Sequence, residues 1–149
     1  MIDIILTVNK EKVYEEVAKT TSYTGAKMDD ELAYDRIFTT DEDKACLNVF
    51  WCESKNTICN SLKIMLLDET EADSEYRLSL GLSNSFDEAL KESMQRSLFS
   101  FFVMNVTAKW YTFTNKEEAA GYATEAATYM EDIMRKAFFK RKPMRPTYE

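Results

Sequence analysis

The sequence predicts a mainly α domain: a helical bundle of three to four helices with a long antiparallel helical hairpin, plus a small two-stranded β element at residues 1–8 and 76–82. Three observations lead there. Apolar residues recur at three- and four-residue steps over most of the chain, the period of a helix with one buried stripe. No proline occurs before Pro143, so long helices run uninterrupted. Two short stretches instead alternate residue by residue, the period of a strand.

In "MIDIILTV", Ile2, Ile4, Leu6 and Val8 share one face, which predicts a strand with a strongly apolar side. Asn9 follows, and its side-chain oxygen suits the unpaired amides of a new helix. Val13, Tyr14, Val17, Ala18 and Thr21 then place a stripe along residues 10–23. Gly25 reads as the left-handed residue that ends this helix. A phosphate loop does not fit there, because Gly25 stands alone, Lys27 is displaced, and a helix precedes both. Residues 28–38 read as a short helix or a connector. Thr40 is expected to cap the next helix, with Asp41, Glu42 and Asp43 in its first turn, where negative charge meets the positive helix end. That helix is expected to reach Leu67, with Leu47, Phe50, Trp51, Ile58, Leu62 and Met65 inward.

"DETEADSE", residues 68–75, reads as an acidic loop with five carboxylates: a solvated connector or a docking surface for a basic partner. Tyr76, Leu78, Leu80 and Leu82 share a face in the second strand. Ser85 and Glu88 have capping-box spacing and should open a helix to about Tyr111, whose "LFSFFVMNV" is packed on several sides. Asn115 with Glu118, or Thr114 with Glu117, should cap the last helix. Its Ala119, Ala123, Ala126, Met130, Ile133 and Ala137 make a heptad-like stripe. Small residues there, with Gly121 nearby, predict a tight antiparallel seam against the preceding helix. The organisation expected is one helical domain over 1–139 and an extended basic arm over 140–149. The last fifteen residues hold six Lys or Arg against one Glu, a local charge of +5, so the first 134 carry −12 of the total −7.

The 149 residues are 45% apolar and 13% aromatic, enough for a core without staples. A body this acidic is a poor generic binder of nucleic acid, which needs clustered cations. "MIDIILTV" is too short for a secretory leader and carries Asp3. The longest apolar run is about half a membrane span. Cys46, Cys52 and Cys59 fall in one expected helix. Seven residues along a helix is roughly 10 Å, too far for Cys52 and Cys59 to bridge, so reduced structural thiols are expected.

The absence of histidine removes the commonest general base and the commonest metal ligand. Neither a Ser-His-Asp triad nor a histidine-bearing di-iron bundle can be assembled. No dinucleotide or calcium-binding loop appears, the acidic run at 41–43 lacking the central glycine of an EF-hand. Paired carboxylates could serve a hydrolase only in a cleft with two convergent acids of raised pKa. The expectation is therefore no catalytic residue, no metal site, no cofactor and no small-molecule substrate.

The stretch "VNKEKVYEEVAKTTSYTGAKM", then "YDRIFTTDED" and a long helix through "NVFW", resembles a small family of virion proteins. They are encoded among the structural genes of double-stranded DNA phages and prophages of gut Bacteroidales, including the crAss-like phages. The resemblance extends over most of the chain. It implies a neck or tail-ring component, a head–tail connector stacked below the portal or a neighbouring tail-completion protein. Implied partners are copies of itself in a ring, twelve to match the portal, the portal or adjacent tail proteins, and genomic DNA passing through the channel. The implied location is the virion neck or tail, and the host cytoplasm during assembly. On this reading Lys140, Arg141, Lys142 and Arg145 in the arm grip Glu69, Glu71 and Asp73 of a neighbour. The alternative expectation is a small phage or host regulatory protein that binds one protein partner as a monomer or dimer.

Overall fold

A computed structural model describes residues 1–27 and 39–139. The chain runs β1 (Ile2–Asn9), α1 (Lys10–Lys27), α2 (Lys44–Ser61), β2 (Leu66–Ala72), β3 (Glu75–Leu82), α3 (Lys91–Thr114) and α4 (Lys116–Ala137), with single 3-10 turns at Asp41–Asp43 and Glu88–Leu90. It is mainly helical with a small antiparallel sheet, as the periodicities predict. The sheet has three strands in the order β1-β3-β2, one more than expected.

β1 and β3 pair in register from Ile2 opposite Leu82 to Asn9 opposite Glu75. This sets Ile4, Leu6 and Val8 beside Leu80, Leu78 and Tyr76 on one buried face. The helices cover that face. Val13 and Val17 of α1, Leu47, Phe50, Trp51 and Ile58 of α2, and Met94, Leu98, Phe101, Phe102 and Val106 of α3 complete a single core. α3 is buried on several sides, as its composition predicts, because it lies between the sheet, α1, α2 and α4. Trp51 is the aromatic hub: its ring meets Phe102 at 4.5 Å, Tyr76 edge-on at 6.0 Å and Tyr14 edge-on at 6.5 Å.

The helix boundaries follow local chemistry only in part. Asn9 does cap α1, its Oδ1 accepting the Lys12 N–H at 3.0 Å. Thr40 starts the next helical segment, its N–H donating to Asp43 Oδ2 at 2.8 Å. Gly25, by contrast, is no cap: it lies buried inside α1, which continues to Lys27, and no described glycine has positive φ. α2 stops at Ser61 rather than Leu67. Leu62 and Met65 turn into the core, and Leu66 opens β2. The Ser85–Glu88 box does not form; Asp87 accepts the Ala89 N–H at 3.1 Å and caps the 3-10 turn before α3.

The expected hairpin is present, with Asn115 alone between α3 and α4. Ala126, Ile133 and Ala137 are buried in the seam, with Ala119 and Met130 half-buried. Ala123 and Gly121 are exposed, contrary to the expected stripe. Tyr122 takes that level instead, its ring edge-on to Tyr111 at 5.2 Å. A heptad read on small residues alone therefore drifts off the seam by one position in the first half of α4. The connector 28–38 and the arm 140–149 lie outside the described residues.

Candidate functional site

The segment read as an acidic loop is an edge strand. β2 pairs with β3 from Asp68 opposite Ser79 to Ala72 opposite Glu75, with a bulge between Leu66 and Asp68. Two residues join them, Asp73 at φ 52° and Ser74 at φ 64°. Both are left-handed, as a tight hairpin turn of this hand requires. The Ser74 carbonyl accepts the Lys10 N–H at 2.8 Å and ties the turn to the start of α1. The Gly81 N–H bonds the Met65 carbonyl at 2.8 Å, which sets the alternation. Asp68, Thr70 and Ala72 turn their backbones to β3, while those of Glu69 and Glu71 face the open edge. Among the described residues, β3 is the only element that packs extensively on β2.

The side chains of Glu69 and Glu71 turn the other way, under the sheet and onto α2. There Trp51, Lys55 and Cys59 form a line at four-residue spacing. Glu71 accepts Trp51 Nε1 at 3.2 Å and Lys55 Nζ at 2.5 Å, with Lys10 Nζ at 3.9 Å. Glu69 accepts the Cys59 thiol at 2.6 Å and the Tyr76 hydroxyl at 2.5 Å. The hydrogen bonds from Cys59 and then Tyr76 hold the Glu69 carboxyl below its ordinary pKa. For Glu71, partial burial acts upward, but the Lys55 and Trp51 hydrogen bonds outweigh it and the net shift is down. Burial, then the hydrogen bond to Glu69, pushes the Cys59 thiol up to about 11. Burial and the same neighbours raise the Tyr76 phenol too.

Chemically, this arrangement is a set of ionised carboxylates clamped by donors. A thiol so strongly protonated is no nucleophile at neutral pH. Carboxylates shifted down are the reverse of a poised general acid. A second polar cluster lies on the α3–α4 seam, where Asp132 Oδ2 accepts Ser97 Oγ at 2.6 Å and Lys136 Nζ at 2.7 Å, and Lys136 also bonds Ser93. Burial acts upward on Asp132, but Lys136 and Ser97 outweigh it and its pKa is lowered, so this is an ion pair that locks the hairpin's open end. No group of three or more metal-ligating side chains occurs among the described residues. No described helix is long and apolar enough to cross a membrane.

The predicted receiving residues are thus placed as follows. Glu69 and Glu71 share one strand and one polar seam. Asp73 stands in the turn, on the rim of a cleft of about 760 Å³ whose lining includes Asn9, Lys12, Glu75 and Arg96. Lys140, Arg141, Lys142 and Arg145 lie outside the described residues. The point from which they depart is described. Phe138 and Phe139, 59% and 50% exposed, line a cleft of about 150 Å³ with Ile64, Met65 and Gly81. Ile64 is 85% exposed, and Leu67 and Met1 flank Gly81 on the outer sheet face. The arm therefore starts beside the beginning of β2. Ala72 lies six residues, roughly 20 Å, further along the strand.

The sequence places Trp51 and Tyr76 on apolar faces and Cys59 among structural thiols and gives Lys10 and Lys55 no role; that they surround Glu69 and Glu71 is not among its expectations. Their signal in the sequence is the i, i+4, i+8 line on α2, together with two segments of seven and eight residues separated by the dipeptide Asp73-Ser74. No family model matches the chain, and no curated protein or solved structure matches it.

Proposed function

We propose that this chain is a non-enzymatic structural subunit that assembles into a ring, and that the ring belongs to the head–tail connector, neck or upper tail of a phage particle, around the DNA channel. One observation carries the oligomeric part. An open, acidic sheet edge and a basic C-terminal arm occupy one polypeptide, and the arm's root stands at the wrong end of β2 to reach Glu71 and Asp73 readily. A head-to-tail arrangement brings unlike surfaces of successive copies together and closes into a ring when the rotation allows. The apolar collar of Ile64, Phe138 and Phe139 around the arm's root adds surface that a neighbour can cover. The placement in a phage particle rests on the resemblance of "VNKEKVYEEVAKTTSYTGAKM" and "YDRIFTTDED" to virion proteins of that kind.

The test is twofold. Light scattering on the full chain and on a chain ending at Phe139 should show an oligomer only with the arm. Electron microscopy of purified particles should place the chain in a ring at the neck or tail. A full chain that stays monomeric or dimeric on its own and on isolated portals would replace this reading with the small partner-binding regulator.

A further inference from the structure

We infer that residues 140–145 of one copy add to β2 of the next as an antiparallel fourth strand, Lys140 opposite Glu71 and Lys142 opposite Glu69. This rests on the ring reading and specifies its contact. The open edge supplies the first argument. The backbones of Glu69 and Glu71 face outward, and an edge of this kind is a template for another chain. Its own chemistry selects the partner. β2 carries Asp68, Glu69 and Glu71, and Asp73 and Glu75 follow at once. A second β2 laid against it would set carboxylate beside carboxylate, which is unfavourable. A basic strand is favoured, and residues 140–145 contain four cations and no acid.

Proline parity supplies the second argument. A residue in an added strand turns its N–H to the template at every other position, and proline has none to offer. With Lys140, Lys142 and Met144 turned to β2, Pro143 falls on the parity that needs no N–H. Pro146 falls on the bonding parity and ends the strand. In the antiparallel register Pro143 stands opposite Asp68, where the bulge ends the regular part of β2. The prolines of the arm and the bulge of β2 therefore fall at the same end of the ladder and close the paired run together. Arg141 falls opposite Thr70 on the outer face, diagonal to Asp68, within reach of its carboxylate.

Geometry makes the contact one between copies. Phe139 shares a cleft with Ile64 and Met65, next to the start of β2. Cα140 lies about 3.8 Å from Cα139. Glu71 is five residues beyond Leu66, roughly 17 Å along the strand. A chain's own arm can run along β2 only in the parallel sense, so Lys140 reaches Glu71 only from another copy.

The experiment is residue-resolved amide exchange on the full chain, from low micromolar to near-millimolar concentration, with two variants of equal charge. Lys142→Pro removes an N–H on the bonding parity. Arg141→Pro removes one charge and adds one proline on the other parity. The expected result is that the Glu69 and Glu71 amides exchange quickly in the dilute chain and at least tenfold more slowly in the concentrated one. Asp68, Thr70 and Ala72, already bonded to β3, should change far less. Lys142→Pro should abolish the slowing and Arg141→Pro should retain it. Slowing lost equally in both variants would overturn the strand while leaving an electrostatic arm, and with it the ring, intact. Slowing that is present but independent of concentration would overturn the contact between copies in favour of a chain's own arm. No slowing at all, in a chain that light scattering shows to be oligomeric, would move the contact away from β2.

Discussion

The α3–α4 hairpin and the β2 edge are held by different physics. The hairpin turns on one residue, and its seam is filled by Ala126, Ile133 and Ala137 against α3. Its stability comes mainly from excluded water and close packing, which depend little on pH or salt, with one ion pair, Asp132–Lys136, at its open end. β2 buries almost nothing, every residue after Leu66 being exposed. It stays in place through ladder bonds to β3 and through two glutamates clamped from beneath by Trp51, Lys55, Cys59 and Tyr76. One region is fixed by volume and the other by donors and acceptors. A strand that is ordered yet unburied on its far side is ready to pair without first paying for its own folding. That is the difference that matters for assembly.

The largest way to break the contrast acts on what both regions share. Phe102→Ala removes a buried ring that packs, tilted, against Trp51, and should cost about 3–5 kcal/mol in chemical denaturation. It should loosen hairpin and sheet together, in one transition. Ala126→Leu acts on the hairpin alone, overpacking a buried position for about 1–3 kcal/mol. An unchanged melting temperature would mean that this seam has room it should not have. Ser74→Gly acts on the hairpin turn of the sheet. It relieves a left-handed serine and should stabilise by about 1 kcal/mol or less. Gly121→Ala should also stabilise, by about 0.5–1 kcal/mol, because a methyl there meets nothing within 4 Å.

The smallest effects separate the regions by pH and reactivity. Glu69 and Glu71 both have folded pKa values below the ordinary range. Their contribution is therefore complete above the unfolded value, about 4.3, and fades as pH falls through the lower folded value. Amides of β2 should lose protection at acid pH before those of α3 do, as hydrogen exchange would read. Alkylation at mildly alkaline pH should modify the exposed Cys46 and Cys52 readily. Cys59, with its thiol pushed up to about 11, should lag. Equal labelling of all three in mass spectra would show the Glu69 clamp to be open.

Legibility in the sequence follows the same division. Strict alternation in Ile2–Val8 and Tyr76–Leu82, and the stripe Leu47–Phe50–Trp51–Ile58, report one-sided burial, which a single segment encodes by itself. β2 was missed because its inward face carries glutamates. Read alone, "LDETEA" has the composition of a loop. Its pairing comes from β3, and its inward-turned carboxylates are held in place because α2 supplies Trp51, Lys55 and Cys59. The Gly25 cap and the Ser85 box failed for a related reason: a local signal states what a residue permits, and packing of α1 and the placement of Asp87 decided what was used. Of the predicted contact residues, Glu69, Glu71 and Asp73 were named from charge, but the strand that turns two of their backbones outward was not visible in charge.

By itself the sequence determined the helical class, the two strands with an alternating apolar face, the single apolar core and the separation of an acidic body from a basic end, because each of these is a periodicity or a sum along the chain. Only the tertiary structure decided the third strand, the clamp beneath it and the distance from the arm's root to the far end of β2. Those depend on which residues distant in sequence come to lie against one another, and no local pattern records that.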